Sequence, residues 1–298
     1  MPDIAWHSLV TSLDKHGTAK LGWATLLTDA ATLAHGRLNP LIGAAQQADV
    51  LGIPLTAAMR QFFASAGPGA LVGKIRAPTL LIQGTVDDLS TLQEAVSNYA
   101  ILRRHGVAVK MLWFCGGHGI CLTNPGQTAL IQRDTIAWLD RYLKREPRVR
   151  TGPTFEWVDQ RGGAHTGTDY LLAKGGALGG EASGSLQFNT TGGSGPATPG
   201  PSASLVGSFA AKVTPAKATN AVNVEVGSPR RAALVVGAPQ LTVTYRGLAT
   251  NGQTHTSIYA QIVDDATGLV LGNQVTPVPV TLDGVAHTLT EPMSPCRS

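Results

Sequence analysis

Cysteine is scarce in this 298-residue sequence, with only Cys115, Cys121 and Cys296. Three thiols cannot build a disulfide framework. One Cys115–Cys121 bridge fits the count, and two small buried thiols are the alternative. Charge is sparse too. Charged residues make up 14% of the chain against 43% hydrophobic, a balance that can bury a substantial core and argues against wholesale disorder. No apolar run reaches roughly the 18 residues needed to cross a bilayer, so no membrane span is expected. No charged start followed by an apolar stretch appears, so the chain shows no signal peptide and its compartment is left open. The net charge of +4 is scattered. Its densest group, Arg141 to Arg150 (RYLKREPRVR), ends a helical pattern and runs into prolines. That reads as a helix terminus and linker, and no nucleic-acid partner is expected.

The length suits two compact domains, and the two halves follow different rules. Residues 8–34, 39–50 and 54–65 carry Leu, Ala and Trp at mixed helical spacing, punctuated by Gly36, Pro40 and Pro54. TLLIQG (79–84) is a short apolar run ending in glycine, which suits a buried parallel strand. Residues 89–105 put Leu89, Leu92, Val96, Tyr99 and Leu102 on one helical face, and Gly106 ends the helix. VAVKMLWF (107–114) predicts a second strand. Residues 127–144 predict another amphipathic helix, with Leu130, Ile131, Ile136, Trp138, Leu139, Tyr142 and Leu143 as its apolar set. Strand, helix, strand, helix at this spacing is an α/β unit with a right-handed crossover. From about residue 151 the pattern becomes β. A Gly/Ser/Thr/Pro-dense stretch is followed by SLVGSFAA, AALVVG, QLTVTYRG, SIYAQIVDD, LVLGNQV and VPVTLDG, with a hairpin turn over Asp264–Gly268. Short strands with Gly/Pro-rich turns predict a sandwich or jelly roll.

The chemistry concentrates in two loops. GTVDDLS follows the first strand and GGHG the second, so both fall at the carboxyl ends of adjacent parallel strands, where open α/β sheets place their ligand crevices. That brings Asp87 and His118 side by side. A carboxylate beside a histidine fixes its tautomer and stabilises the imidazolium formed when the ring takes a proton. The order Asp then His is that of the last two members of an α/β-hydrolase triad. Other readings compete. A loop histidine is commonly just solvated, and Asp88 would serve as N-cap for a helix starting near Leu89. Cys-x2-His-x2-Cys around His118 also resembles a zinc pattern, but three residues in one tight loop still need a fourth ligand, and no second cluster supplies it.

What is missing is a nucleophile. A G-x-S-x-G elbow must lie upstream of the acid and follow a strand. FASAG (63–67) has Phe63 in the first glycine position and ends a helical stretch. GGSGP (192–196) lies downstream of His118 and ends in proline. Neither qualifies, and the oxyanion donors of such an elbow are missing with it.

PDIAWHSLVTSL, GWATLL, APTLLIQGTVDDLSTLQEAV and MLWFCGGHGICL together resemble the X-prolyl dipeptidyl aminopeptidase and cocaine esterase family of serine hydrolases. APQLTVTYRG, AQIVDDATGLVLGNQV and PVTLDG resemble its C-terminal jelly roll. The resemblance spans nearly the whole chain, and is most specific at the Asp and His motifs and the AQIVDD–TGLVLG hairpin. It implies an α/β-hydrolase sheet with a helical cap, followed by an all-β galactose-binding-like jelly roll. The expected parts are a cap region at 1–70, the C-terminal part of the hydrolase domain at 71–148, and a β-sandwich accessory domain at 151–298. It implies Asp87 as acid, His118 as general base, Asp88 as second choice for the acid, and a small peptide or ester substrate. No cofactor and no metal are implied. The chain is expected to start after the elbow-bearing portion of that fold and to be catalytically incomplete without it. A rival expectation is a non-catalytic module that binds carbohydrate or a protein through the β region. The oligomeric state has no signature.

Overall fold

The computed structural model describes residues 21–50, 55–119, 121, 128–170, 178–188, 214–229, 233–250, 252 and 254–297. Among the described residues three helices come first: α1 (Leu21–Leu33), α2 (Pro40–Val50) and α3 (Ala57–Ala66). Their shared core holds Ile42, Ala45 and Phe63, with Trp23, Leu27 and Met59 packed against it. Thr56 caps α3 through its side chain, accepting from the Met59 N–H. Leu89 belongs to the same cluster, so the helices are seated on the loop that carries Asp87.

A short 3-10 turn (Gly69–Lys74) leads into β1 (Thr79–Gly84), α4 (Leu92–Arg104), β2 (Val109–Phe114) and α5 (Thr128–Tyr142). β1 and β2 pair in parallel, Thr79 opposite Val109 and Gly84 opposite Phe114. The sheet continues past residue 148: β3 (Phe155–Val158) adds a third parallel strand and β4 (Ala164–Gly167) folds back antiparallel on it. The order is β1-β2-β3-β4, with β1 at an edge among the described residues.

Alternation along β2 and β3 divides the residues between two faces. Val109, Met111, Trp113, Phe155 and Trp157 form one core with Leu92, Ala95, Tyr99 and Leu102 of α4. Leu112 and Val158 turn the other way and meet Leu130 of α5. On that second face Lys110 is 1% exposed and lies between two carboxylates, Asp134 at 2.8 Å and Glu156 at 2.6 Å. Arg133 closes the group against Asp134 and Glu156, both at 2.8 Å. The apolar face expected for 127–144 is therefore only partly correct. The buried stripe of α5 is Leu130, Asp134 and Trp138, whereas Ile136, Leu139 and Leu143 are exposed. Asp134 is inside because Lys110 needs a counter-charge there.

The later residues form antiparallel pairs: β5 (Val236–Gly237) with β12 (Cys296–Arg297), β6 (Gln240–Leu248) with β11 (Asp283–Pro292), β7 (His255–Ala260) with β10 (Thr276–Thr281), and β8 (Val263–Asp264) with β9 (Leu269–Val270). The architecture is a mixed α/β sheet with helices, followed by strand-rich antiparallel structure. The turn at 264–268 forms as expected, with the Gly268 N–H donating to the Asp264 carbonyl and Gly268 at φ 70°. LVLGNQV does not run on as a strand. It breaks after Val270 into a short 3-10 turn (Leu271–Asn273), where Gly272 and Asn273 take φ 67° and 52°. SLVGSFAA and GGSGP lie outside the described residues. No helix among those described is long and apolar enough to cross a membrane.

Candidate active site

β1 and β2 end level, and each releases its loop at the same edge of the sheet. The Thr85 N–H donates to the Phe114 carbonyl at 2.7 Å, so the two loops leave joined. Asp87 is 5% exposed. Its Oδ1 accepts the Leu89 and Ser90 N–H groups at 3.1 and 2.8 Å, which anchors the carboxylate from behind. His118 Nδ1 lies 3.0 Å from Oδ2 and 3.1 Å from Oδ1. The histidine side chain is 51% exposed. The two residues expected to meet across 31 positions are thus in contact, one buried and one open to solvent.

The glycines of GGHG permit that approach. Gly117 sits at φ 112°, and a methyl group there would lie 2.4 Å from Asp87 Cβ. A methyl on Gly119 would fall 1.9 Å from the Val86 carbonyl oxygen. Neither separation is tolerable for a side chain, so two glycines flanking the histidine bring its loop onto the aspartate.

Cys115 and Cys121 are joined as a disulfide, with Cα atoms 5.6 Å apart. The bridge closes the loop that holds His118, and neither sulfur remains as a thiolate ligand. Among the described residues no group of three His, Cys, Asp or Glu side chains is placed to hold a metal ion.

Asp88 does not cap a helix. α4 starts at Leu92, later than expected, with Thr91 as its N-cap residue. Asp88 instead accepts from the Trp23 indole Nε1 at 3.2 Å, and the same indole stands edge-on to His118. Trp23 is a neighbour of the pair that pattern reasoning passes over, because a tryptophan in a helix reads as core. Ser65 of FASAG sits in the last turn of α3 and donates to the Phe62 carbonyl, as a helix-ending serine does.

Two further Asp–His contacts occur among the described residues, and they differ in kind. His165 meets Asp159 at 2.7 Å within the β3–β4 hairpin, and His287 meets Asp283 at 2.9 Å along β11. Both use Nε2, and both rings lie against an aromatic face, Trp157 and Tyr245 respectively. His118 alone of the three meets its aspartate through Nδ1. An Nδ1–H donated to the carboxylate leaves Nε2 as the basic nitrogen, the arrangement that general-base catalysis by a dyad requires. No protein-family model matches the sequence, and no curated protein matches it significantly.

Proposed function

We propose that Asp87 and His118 are the acid and base of a serine hydrolase of the X-prolyl dipeptidyl aminopeptidase and cocaine esterase type, acting on a peptide or ester bond. The observation that carries this reading is the Nδ1 contact between a buried, doubly anchored Asp87 and a half-exposed His118 at the carboxyl edge of parallel strands. In that chemistry His118 Nε2 takes the proton as a serine oxygen attacks the acyl carbon, and then passes it to the departing amine or alcohol. Water then attacks the acyl carbon as its proton passes to Nε2, and the acyl–serine bond breaks with that proton returned to the serine oxygen, releasing the acid and the free serine. Asp87 holds the ring and stabilises its charged form throughout.

The serine is not supplied by an elbow within residues 1–298. β1 lies at a sheet edge among the described residues, beside Asp87, and that edge supports a place for the strand that would carry one. Under the same reading α1, α2 and α3 belong to the cap, and the antiparallel pairs to a jelly roll beside it.

A fluorophosphonate probe tests the proposal. The 298-residue chain alone is expected to remain unlabelled. Joined to the elbow-bearing N-terminal portion of an enzyme of that family, it is expected to label at the elbow serine and to lose labelling on His118→Ala. Stoichiometric labelling of the chain alone would reveal a nucleophile within it. A folded chimera whose labelling ignores His118→Ala would remove the assigned base.

A further inference from the structure

We infer that Asn273 and Gln274, from the β-rich part of the chain, are positioning residues for the Asp87–His118 pair. The inference rests on reading that pair as acid and base. Gln274 Nε2 donates to the Asp87 carbonyl at 2.9 Å and to the Gly272 carbonyl at 3.1 Å. Asn273 Nδ2 donates to the Val86 carbonyl at 3.3 Å. Both bonds join positions 187 apart in the sequence.

Asn273 also reaches the other loop. A methyl group on Gly119 would lie 2.8 Å from Asn273 Nδ2, so the amide is packed against the backbone immediately after His118. A single side chain, 7% exposed, thus touches the acid loop at Val86 and the base loop at Gly119. Gln274 adds a hold on the aspartate itself. The carboxylate of Asp87 is already fixed by Leu89 and Ser90, and the glutamine fixes the other end of the residue at its carbonyl. Together they leave the Cα–Cβ bond of Asp87 little freedom to swing the carboxylate away from Nδ1.

The backbone beneath these amides is shaped for close approach. Gly272 at φ 67° comes near the Thr85 carbonyl, which would stand 3.1 Å from any Cβ at that position. Asn273 at φ 52° uses the left-handed region that asparagine enters more readily than most residues. The turn that interrupts the expected strand at 271–273 is thereby explained, because it delivers two amides to the carbonyls of 86 and 87.

The test uses the full chain and a double variant, Asn273→Gly with Gln274→Met. Glycine keeps the left-handed backbone and methionine keeps the volume, while both donors are lost. Long-range proton–nitrogen NMR of labelled histidine, at a pH where His118 is neutral, reports which ring nitrogen holds the proton. The wild-type chain is expected to show His118 protonated at Nδ1. In the double variant the ratio of Nδ1–H to Nε2–H is expected to fall by about fivefold to tenfold, the size of one lost hydrogen bond. Thr276→Ala is the control, since it breaks the Thr276–Ser294 contacts next to the turn without touching either loop. An unchanged ratio in the double variant, or an equal fall in Thr276→Ala, would overturn the positioning role alone. A wild-type His118 protonated at Nε2 would overturn the acid–base reading and the inference with it.

Discussion

Trp23 stands edge-on to His118, with ring centroids 5.9 Å apart and planes at 88°. Its indole nitrogen holds Asp88 at 3.2 Å, so one side chain ties α1 to both loops of the site. Trp23→Ala is expected to destabilise the protein by roughly 1–3 kcal/mol, below the range for a fully buried aromatic because Trp23 is half-buried. Trp23→Phe keeps a ring but loses the donor and should cost about 1 kcal/mol. Urea unfolding of the two variants separates packing from hydrogen bonding.

Lys110 makes a sharper case. It is buried between Asp134 and Glu156. Lys110→Met leaves two carboxylates facing each other with the exposed Arg133 to share, and should cost roughly 3–5 kcal/mol. Neutralising the carboxylates at the same time, in Lys110→Met with Asp134→Asn and Glu156→Gln, should recover much of that loss. A triple variant less stable than the single one, by chemical denaturation, would contradict this account.

Acid should weaken the fold through two other aspartates. Burial raises the pKa of Asp159, but hydrogen bonds from His165, Gly163 and Arg161 outweigh it and hold the carboxyl below its ordinary 3.8. Asp169 is lowered likewise, burial being outweighed by bonds from Tyr99 and Arg103. A carboxyl lowered in the folded state contributes stability above its unfolded pKa and loses it as pH falls through the folded value. Unfolding midpoints should therefore drop below pH about 4, and Asp159→Asn or Asp169→Asn should flatten that decline.

Thiol chemistry offers an independent check on the His118 loop. Burial pushes the Cys296 thiol up to about 11, and the other two cysteines are bridged. Ellman's reagent should find no fast-reacting thiol on the native chain at mildly basic pH, one after denaturation, and three after reduction. Cys115→Ser with Cys121→Ser should cost roughly 2 kcal/mol, the loop-closure value for so short a ring.

The sheet and the pair were legible because they obey local rules. β1 and β2 are short apolar runs, and the loops that follow them carry an aspartate and a histidine at matched strand ends. Three features escaped. β3 reads as part of the β-rich region because FEWV alone does not reveal which sheet it joins; its partner, β2, lies more than 40 residues earlier. Asp134 was invisible as a core residue because helical patterning counts apolar side chains, and its burial depends on Lys110 of another strand. Asn273 read as part of a strand because LVLGNQV has the right composition. What overrides that composition is a long-range demand, two backbone carbonyls in a distant loop.

Strand pairing in this protein also acts as a ruler for Asp87 and His118. Each residue advances a strand by about 3.3 Å, and each step reverses the face a side chain occupies. A slip of one position between Thr79–Gly84 and Val109–Phe114 would shift Asp87 and His118 by about that distance, enough to part them. If β2 is the strand that moves, the same slip would turn Lys110 toward the apolar side of α4 and leave Asp134 and Glu156 with Arg133 alone. The electrostatic knot at one end of β2 thus penalises any misalignment that would separate the carboxylate and imidazole at the other.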